Sequence, residues 1–299
     1  MKEYIGQING RTRTCGLVGN PVEHTMSPVI HNSLAAMFGQ NFVYVPFHVR
    51  DGLQEAIEGA YALNILGMNV TVPYKSEVMQ YLVRTDAKAE QIGAVNTLVR
   101  TEGGYVGYNT DMPGLYRAME EDGICLCGGQ VLILGAGGVA RAVALLAAEK
   151  GAEKICILNR TLGKAQDIIT ELSEVLAETK ENGTPELLAL PLSEYEKLGG
   201  EEWIGIQATS VGMFPQNEDV IIKDAGFYQK LKAGYDLIFN PYETKFMKLV
   251  KAAGKPAYNG LKMLLYQGII AYELWNGVAV TEEQAKEVFE AMKKEMKVQ

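Results

Sequence analysis

The sequence predicts an α/β fold organised as two domains, and three observations carry that reading. Short apolar runs of strand type alternate with helix-type segments along most of the chain. With 299 residues, 47% apolar and 21% charged, the chain can build a sizeable core in each of two domains. At residues 131–134 an unbroken apolar run, of the kind buried on both faces of a parallel sheet, ends in a glycine turn and an alanine-rich segment.

In chain order, residues 14–19 form the first strand and Asn20-Pro21 begins a turn. Ser27 and Pro28 fit N-cap and first helical position of a helix that runs to about Phe38 and stops at Gly39. Two hydroxyls at that start, Thr25 and Ser27, also make a receptor for a carboxylate. A strand over 42–48, a helix over 53–63 and a strand over 68–72 follow, the last closing on Pro73 before a helix over 74–82. This alternation implies a parallel sheet. Lys75 then falls just beyond a strand's C-terminal end, where ligand crevices of open sheets form, in a first helical turn whose dipole opposes its charge. A solvated surface lysine is the ordinary alternative. Residues 94–98 and the hairpin VRTEGGYVGYNTD come next, with Gly103-Gly104 as its turn and Asp111 at its end. Asp111 fits a cap for a helix starting near Met112-Pro113, and Asn96 alone is an ordinary polar residue.

Residues 122–129 lead into the strand at 131–134, so the domain break is expected near 111–113. Gly135-Ala136-Gly137-Gly138-Val139-Ala140 fits G-x-G-x-x-A, and 140–149 has helix composition. Each position has a reason: Gly135 permits the turn, Gly137 lets backbone approach a pyrophosphate, Ala140 lets helix and strand pack, and the helix start supplies N–H donors. An ordinary strand–helix turn would look similar, but a second strand at 154–158 follows at the distance a dinucleotide site needs. That strand ends in Asn159-Arg160-Thr161, with no carboxylate for a ribose 2′-hydroxyl. Arg160, with Lys164 one turn on, offers charge-assisted bonds to a 2′-phosphate, which predicts NADP rather than NAD. The acidic region 173–185 receives no role. A strand over Trp203–Gln207 ends in the loop 208–213, and a strand over 235–241 carries Phe239. A helix over 244–253, a short strand ending at Tyr258, the Asn259-Gly260 turn, an apolar helix over 261–275 containing Gln267 and a charged amphipathic surface helix over 282–296 complete the chain.

A net charge of −8 argues against an extended basic face for nucleic acid or acidic membrane, so a small partner is expected. The amino terminus lacks an apolar core of signal type and no run reaches a membrane span, which predicts a cytoplasmic protein. Cys15, Cys125, Cys127 and Cys156 have no C-x-x-C spacing and do not cluster with His24, His31 and His48, so neither a metal site nor disulfides are indicated. Cys15 and Cys156 read as buried structural thiols.

The blocks Gly19-Asn20-Pro21, His24-Thr25-Met26-Ser27-Pro28 with His31-Asn32, Asn69-Val70-Thr71-Val72-Pro73-Tyr74-Lys75, Gly93-Ala94-Val95-Asn96-Thr97 and Gly107-Tyr108-Asn109-Thr110-Asp111 resemble, in order, the signature blocks of the shikimate dehydrogenase family. The glycine loop, Asn159-Arg160-Thr161, Ala208-Thr209-Ser210-Val211-Gly212-Met213 and the stretch from Asn259-Gly260 to Gln267 extend the likeness over nearly the full length. The resemblance implies an α/β substrate-binding catalytic domain over 1–111 plus 260–299 and a Rossmann-type NADP domain over 112–259, around a deep cleft, with the C-terminal helices returning to the first domain. It implies reversible NADPH-dependent reduction of 3-dehydroshikimate to shikimate in aromatic amino acid biosynthesis, by a protein that forms a homodimer. The family's paired lysine and aspartate fall on Lys75, as acid/base, and Asp111, whose share stays open. Thr25 and Ser27 fall on its carboxylate-binding serines, and Thr71, Asn96 and Gln267 on its ring-hydroxyl contacts. Phe239 stands where the family commonly has a tyrosine, so one substrate hydroxyl contact is missing. Cofactor contacts fall on Gly135, Ala136, Gly137, Gly138, Val139, Asn159, Arg160, Thr161, Lys164, Thr209, Ser210, Leu237, Gly260 and Met263. An NAD-using quinate/shikimate dehydrogenase and a non-catalytic shikimate-sensing module are the alternatives. The basic turn speaks against the first, and retention of both Lys75 and Asp111 against the second.

Overall fold

A computed structural model describes residues 8–179, 184–200 and 202–298, so the first seven residues of the amino-terminal stretch and 180–183 of the acidic region lie outside the described residues. The chain divides into two compact units, residues 1–114 with 264–299, and residues 115–263.

The first unit contains β1 (Arg13–Gly19), α1 (Ser27–Met37), β2 (Phe42–His48), α2 (Leu53–Ala62), β3 (Gly67–Val70), a 3-10 helix (Glu77–Tyr81), β4 (Arg84–Thr85), α3 (Ala87–Ile92), β5 (Thr97–Thr101), β6 (Gly104–Tyr108) and the start of α4 (Asp111–Glu121). Its sheet has the order β2-β1-β3-β5-β6-β4. Alternation with helices makes β1, β2 and β3 parallel, as expected, but β5 runs antiparallel to both β3 and β6. The sheet is therefore mixed, because a two-residue turn at Glu102-Gly103 joins β5 to β6 and so short a link serves only antiparallel neighbours.

Three local expectations change here. Residues 74–82 do not form a continuous helix. The Lys75 carbonyl is taken by the Val95 N–H at 2.8 Å, so only Glu77–Tyr81 coils, as a 3-10 helix. Lys75 precedes that short helix, so no first-turn dipole opposes its charge. Second, α1 begins at Ser27 itself, with no side-chain cap from Met26; the Thr25 hydroxyl accepts the Ser27 N–H at 3.2 Å, so Ser27 is not the N-cap. Third, the short helix α3 and strand β4 were not anticipated, their segments being brief and weakly patterned.

The second unit carries β7 (Gln130–Leu134), α5 (Gly138–Glu149), β8 (Lys154–Asn159), α6 (Leu162–Thr179), β9 (Glu186–Pro191), a 3-10 segment (Leu192–Lys197), β10 (Trp203–Gln207), α7 (Ala225–Gln229), β11 (Leu231–Asp236), α8 (Lys245–Ala252) and β12 (Ala257–Tyr258). Its sheet is parallel throughout, in the order β12-β11-β10-β7-β8-β9. The continuous apolar runs of β7 and β8 are buried because helices cover both faces of such a sheet. β9 and α7 were missed in the sequence: β9 is a half-buried edge strand and α7 a single short turn. The strand expected over 235–241 is instead β11, ending at Asp236. The buried Asp236 carboxylate accepts the Ile238 N–H at 3.0 Å and the Thr244 hydroxyl at 2.6 Å, which turns the chain out of the sheet and leaves Phe239 in the following loop.

The last two helices are α9 (Leu261–Asn276) and α10 (Glu282–Glu295), and residues 264–299 belong to the first unit. Trp275 of α9 donates to the Leu98 carbonyl at 2.8 Å. Its indole nitrogen lies where a Cβ on Gly67 would come within 2.1 Å, so β3 accepts only glycine at that point. α10 opens with a Thr281/Gln284 capping box and buries Ala285, Val288 and Met292, leaving its charged face outward. Among the described residues no helix is long and apolar enough to cross a membrane. All four cysteines are free, Cys15 and Cys156 buried, Cys125 and Cys127 exposed.

Candidate active site

The loop after β3 and the start of α4 bring two charged side chains of the first unit together: Lys75 Nζ lies 2.6 Å from Asp111 Oδ2. Their side chains are 31% and 17% exposed, enough for a ligand to reach them and too little for water to screen them fully. The reason Asp111 is available is local. Asn109 caps α4, its Oδ1 accepting the N–H of Asp111 at 3.1 Å and of Met112 at 3.3 Å, while its Nδ2 donates to the Ala94 carbonyl at 3.0 Å. The cap role considered for Asp111 thus belongs to Asn109, two residues earlier, and the Asp111 carboxylate points at Lys75.

Asn96 is the buried polar centre beside this pair. Its Oδ1 accepts the Thr110 N–H at 2.7 Å and the Thr97 hydroxyl at 3.1 Å, and its Nδ2 donates to Thr110 Oγ1 at 3.0 Å and faces Gln267 Oε1 at 3.5 Å. Gln267 comes from α9, 171 positions along the chain. Thr25 and Ser27 stand together, the Thr25 hydroxyl 3.2 Å from that of Ser27, and Ser27 is buried. Thr71 packs against Gly19 so closely that a Cβ there would fall 2.3 Å from its methyl. The Asn20 N–H donates to the Val72 carbonyl at 3.0 Å, which ties the loop bearing Thr25 and Ser27 to the one bearing Thr71 and Lys75.

In the second unit the other residues singled out lie at the C-terminal ends of parallel strands, the side on which open α/β sheets bind ligands. Gly135 has φ +109°, and a Cβ there would come 2.4 Å from the Thr209 methyl, so both conformation and packing demand glycine. Ala136 and Gly137 form the turn, and Gly138 and Val139 open α5, whose Gly137 cap offers no side-chain acceptor. A Cβ on Gly137 or Gly138 would meet no protein atom within 4 Å. The protein's own packing does not require glycine at those two positions, and open space lies beside the helix start. Asn159 ends β8 and donates to the Thr161 carbonyl at 2.9 Å, fixing the turn from which Arg160 and Lys164 project, both exposed.

Gln207 organises the loop after β10. Its Oε1 accepts from the Thr209 N–H at 2.6 Å and hydroxyl at 2.8 Å, and its Nε2 donates to the Val211 carbonyl at 3.0 Å, setting Thr209 and Ser210 at the strand end. Leu237 and Gly260 touch, a Cβ on Gly260 coming 2.2 Å from the Leu237 carbonyl, and Met263 follows in the first turn of α9. Asn109, Thr97, Thr110, Gln207 and Asp236 were not singled out in the sequence. The Asn109 cap is the one with a readable signal, an asparagine two residues before a helix start.

A family model for the shikimate dehydrogenase substrate binding domain matches residues 17–98, and one for shikimate / quinate 5-dehydrogenase matches residues 119–188. The chain is similar to the shikimate dehydrogenase (NADP(+)) of Carboxydothermus hydrogenoformans, 39% identical over 91% of this chain and 95% of that protein. Among solved structures, it is similar to a shikimate dehydrogenase in complex with NADP+, with 39% identity, a TM-score of 0.83, and coverage of 94% and 96% of the two chains. It is likewise similar to the shikimate 5-dehydrogenase of Thermus thermophilus in complex with NADP(H) and shikimate, with 29% identity, a TM-score of 0.81, and coverage of 94% and 100%.

Proposed function

This chain belongs to the shikimate dehydrogenase family, and we propose that its Lys75–Asp111 pair serves that family's reaction: the reversible, NADPH-dependent reduction of 3-dehydroshikimate to shikimate, in aromatic amino acid biosynthesis. The observation that carries the assignment of roles is the 2.6 Å contact between an ammonium and a carboxylate held by two separate elements. An ammonium has three N–H donors. Asp111 takes one and fixes the group's direction, and Lys75 keeps two for the reacting oxygen of the substrate. In reduction Lys75 gives its proton to the oxygen as negative charge develops there, and in oxidation it takes the proton back. When bound, the nicotinamide supplies or accepts the hydride on carbon.

The hydroxyls of Thr25 and Ser27 receive the substrate carboxylate, and Thr71, Asn96 and Gln267 contact ring hydroxyls, which need paired donors and acceptors where water is excluded. Phe239 supplies no hydroxyl. Gly135 to Val139 cradle the pyrophosphate, supported by the open space beside Gly137 and Gly138. Asn159, Arg160, Thr161 and Lys164 hold the adenosine 2′-phosphate, and Thr209, Ser210, Leu237, Gly260 and Met263 line the cofactor's remaining path. The substrate role falls to 1–111 with 260–299 and the NADP role to 112–259. Four free cysteines and an acidic net charge of −8 support a cytoplasmic protein with a small-molecule partner, acting without nucleic acid or membrane. A homodimer completes the reading, to be checked by light scattering.

The test measures NADPH or NADH formation with shikimate and with quinate, each against both cofactors. Fast turnover confined to shikimate with NADP is the expected result. Turnover favouring NAD would remove the argument from Arg160, and preference for quinate would remove the substrate assignment.

A further inference from the structure

His31 and Asn32, adjacent in α1, have no part in the reaction as set out above, yet both engage Tyr44 of β2. Asn32 accepts the Tyr44 N–H at 2.9 Å and donates to its carbonyl at 3.1 Å, standing in for a neighbouring strand at the sheet edge. His31 is wholly buried, its ring stacked 4.2 Å from that of Tyr44 and tilted against that of Trp275 at 5.0 Å.

Backbone groups have one polarity each, and they settle which way every amide in this cluster faces. The Asn96 carbonyl only accepts, so the Asn69 atom 3.3 Å from it is Nδ2, which also donates to Thr97 Oγ1 at 3.1 Å. Asn69 Oδ1 therefore faces the Tyr44 hydroxyl at 2.7 Å and His31 Nε2 at 3.1 Å, and an amide oxygen only accepts. Burial pushes the His31 pKa down to about 3, so the ring is neutral and its single N–H stands on Nε2. Nδ1, buried with no hydrogen-bond partner, is the bare lone pair. Thr97, receiving from Asn69, lies 3.1 Å from Asn96 Oδ1 and 3.0 Å from the Thr110 hydroxyl, which itself reaches Asn96 Oδ1 at 3.2 Å. Thr110 N–H pins the same oxygen at 2.7 Å, and the Leu264 carbonyl pins Gln267 Nε2 at 2.8 Å. The Asn96 N–H and the Gln267 oxygen then face each other at 3.5 Å.

We infer that Tyr44 and His31 are positioning residues for substrate selection: their two donors on Asn69 Oδ1 hold the Asn69 amide against the Asn96 carbonyl and Thr97 Oγ1, and so keep Asn96 placed to donate to one hydroxyl of a polyol while Gln267 accepts from another. The inference rests on the reading of Asn96 and Gln267 as ring-hydroxyl contacts.

The test compares kcat and KM for shikimate with those for analogues that each lack one ring hydroxyl other than the one oxidised. In Tyr44→Phe, which keeps the ring and loses one donor, KM for shikimate rises and its advantage over the deoxy analogue shrinks, each by about fivefold, the worth of one hydrogen bond. kcat stays within about twofold and KM for NADP is unchanged, as for lost uniform binding. His31→Leu behaves likewise, and His31→Gln, which retains an N–H donor, restores discrimination. A Tyr44→Phe protein that discriminates as well as the parent, whatever its melting temperature, overturns the inference, as does a uniform loss with shikimate and analogue alike. Asn96→Ala separates the two levels: unchanged discrimination there overturns the ring-hydroxyl reading itself, and the inference with it.

Discussion

At the scale of single residues, polar groups that pair inside the fold explain most of the site. Lys75→Ala removes the proton donor and leaves the second unit's glycine loop untouched, so kcat should fall by about 10²–10⁴ while NADP affinity, measured by fluorescence titration, stays put. Comparable turnover in the variant would take the acid/base role away from this lysine. Asp236 makes a different prediction. Burial raises its pKa from 3.8 to about 6 against the opposing bonds from Thr244 and Ile238. Between those values the native state holds a proton that the unfolded chain releases, so this group's contribution is best at low pH and is lost as pH rises through the window. Asp236→Asn, which keeps the shape, accepts the Ile238 N–H on its oxygen and donates to the Thr244 hydroxyl in place of accepting from it, should therefore gain on the parent by about 1.4 kcal/mol per pH unit from pH 4 to 6 and hold that gain above it. Urea midpoints at each pH check the slope. A difference independent of pH would mean that Asp236 ionises normally. Lys75 and Asp111 were both legible in the sequence as candidates, and the family resemblance paired them, but no local pattern does so, because 36 positions separate them and a cap and a surface charge are the commoner fates of such residues.

At the scale of elements, strongly patterned segments followed their periodicity, and the departures occur where a side chain captures backbone. The helix expected over 74–82 gave way because Val95 takes the Lys75 carbonyl. The strand expected over 235–241 stops where the Asp236 carboxylate draws in the Ile238 N–H. Ser27 lost its cap role by one position, since the Thr25 hydroxyl reaches the Ser27 N–H first. Asn109 shows the same physics to the benefit of the site: two helix-start N–H groups on its oxygen aim Asp111. Asn109→Ala should destabilise the chain by about 1 kcal/mol in urea unfolding. The same change should lower kcat/KM for shikimate, since Asp111 loses its fixed start. Loss of stability with full activity would show that Lys75 alone orients the carboxylate.

At the scale of the whole molecule, two sheets with separate cores share one chain. A ligand that binds only folded protein adds RT ln(1 + [L]/Kd), so NADP at about 100 times its Kd should stabilise the chain by about 2.7 kcal/mol, seen as a raised melting transition. NAD at the same concentration should do less, and an equal shift would contradict the role of Arg160. The sequence by itself determined the α/β class, the glycine turn and its basic partner at Asn159-Arg160-Thr161, and the residue types of the site, because these depend on local periodicity, turn chemistry and charge within a few positions. Only the tertiary structure decided that one sheet is mixed, that Asp111 faces Lys75 rather than capping its helix, and that Gln267 meets Asn96 across 171 positions. Such contacts depend on which buried donors find acceptors once water has left, and that is a property of the packed chain, invisible to any short window of it.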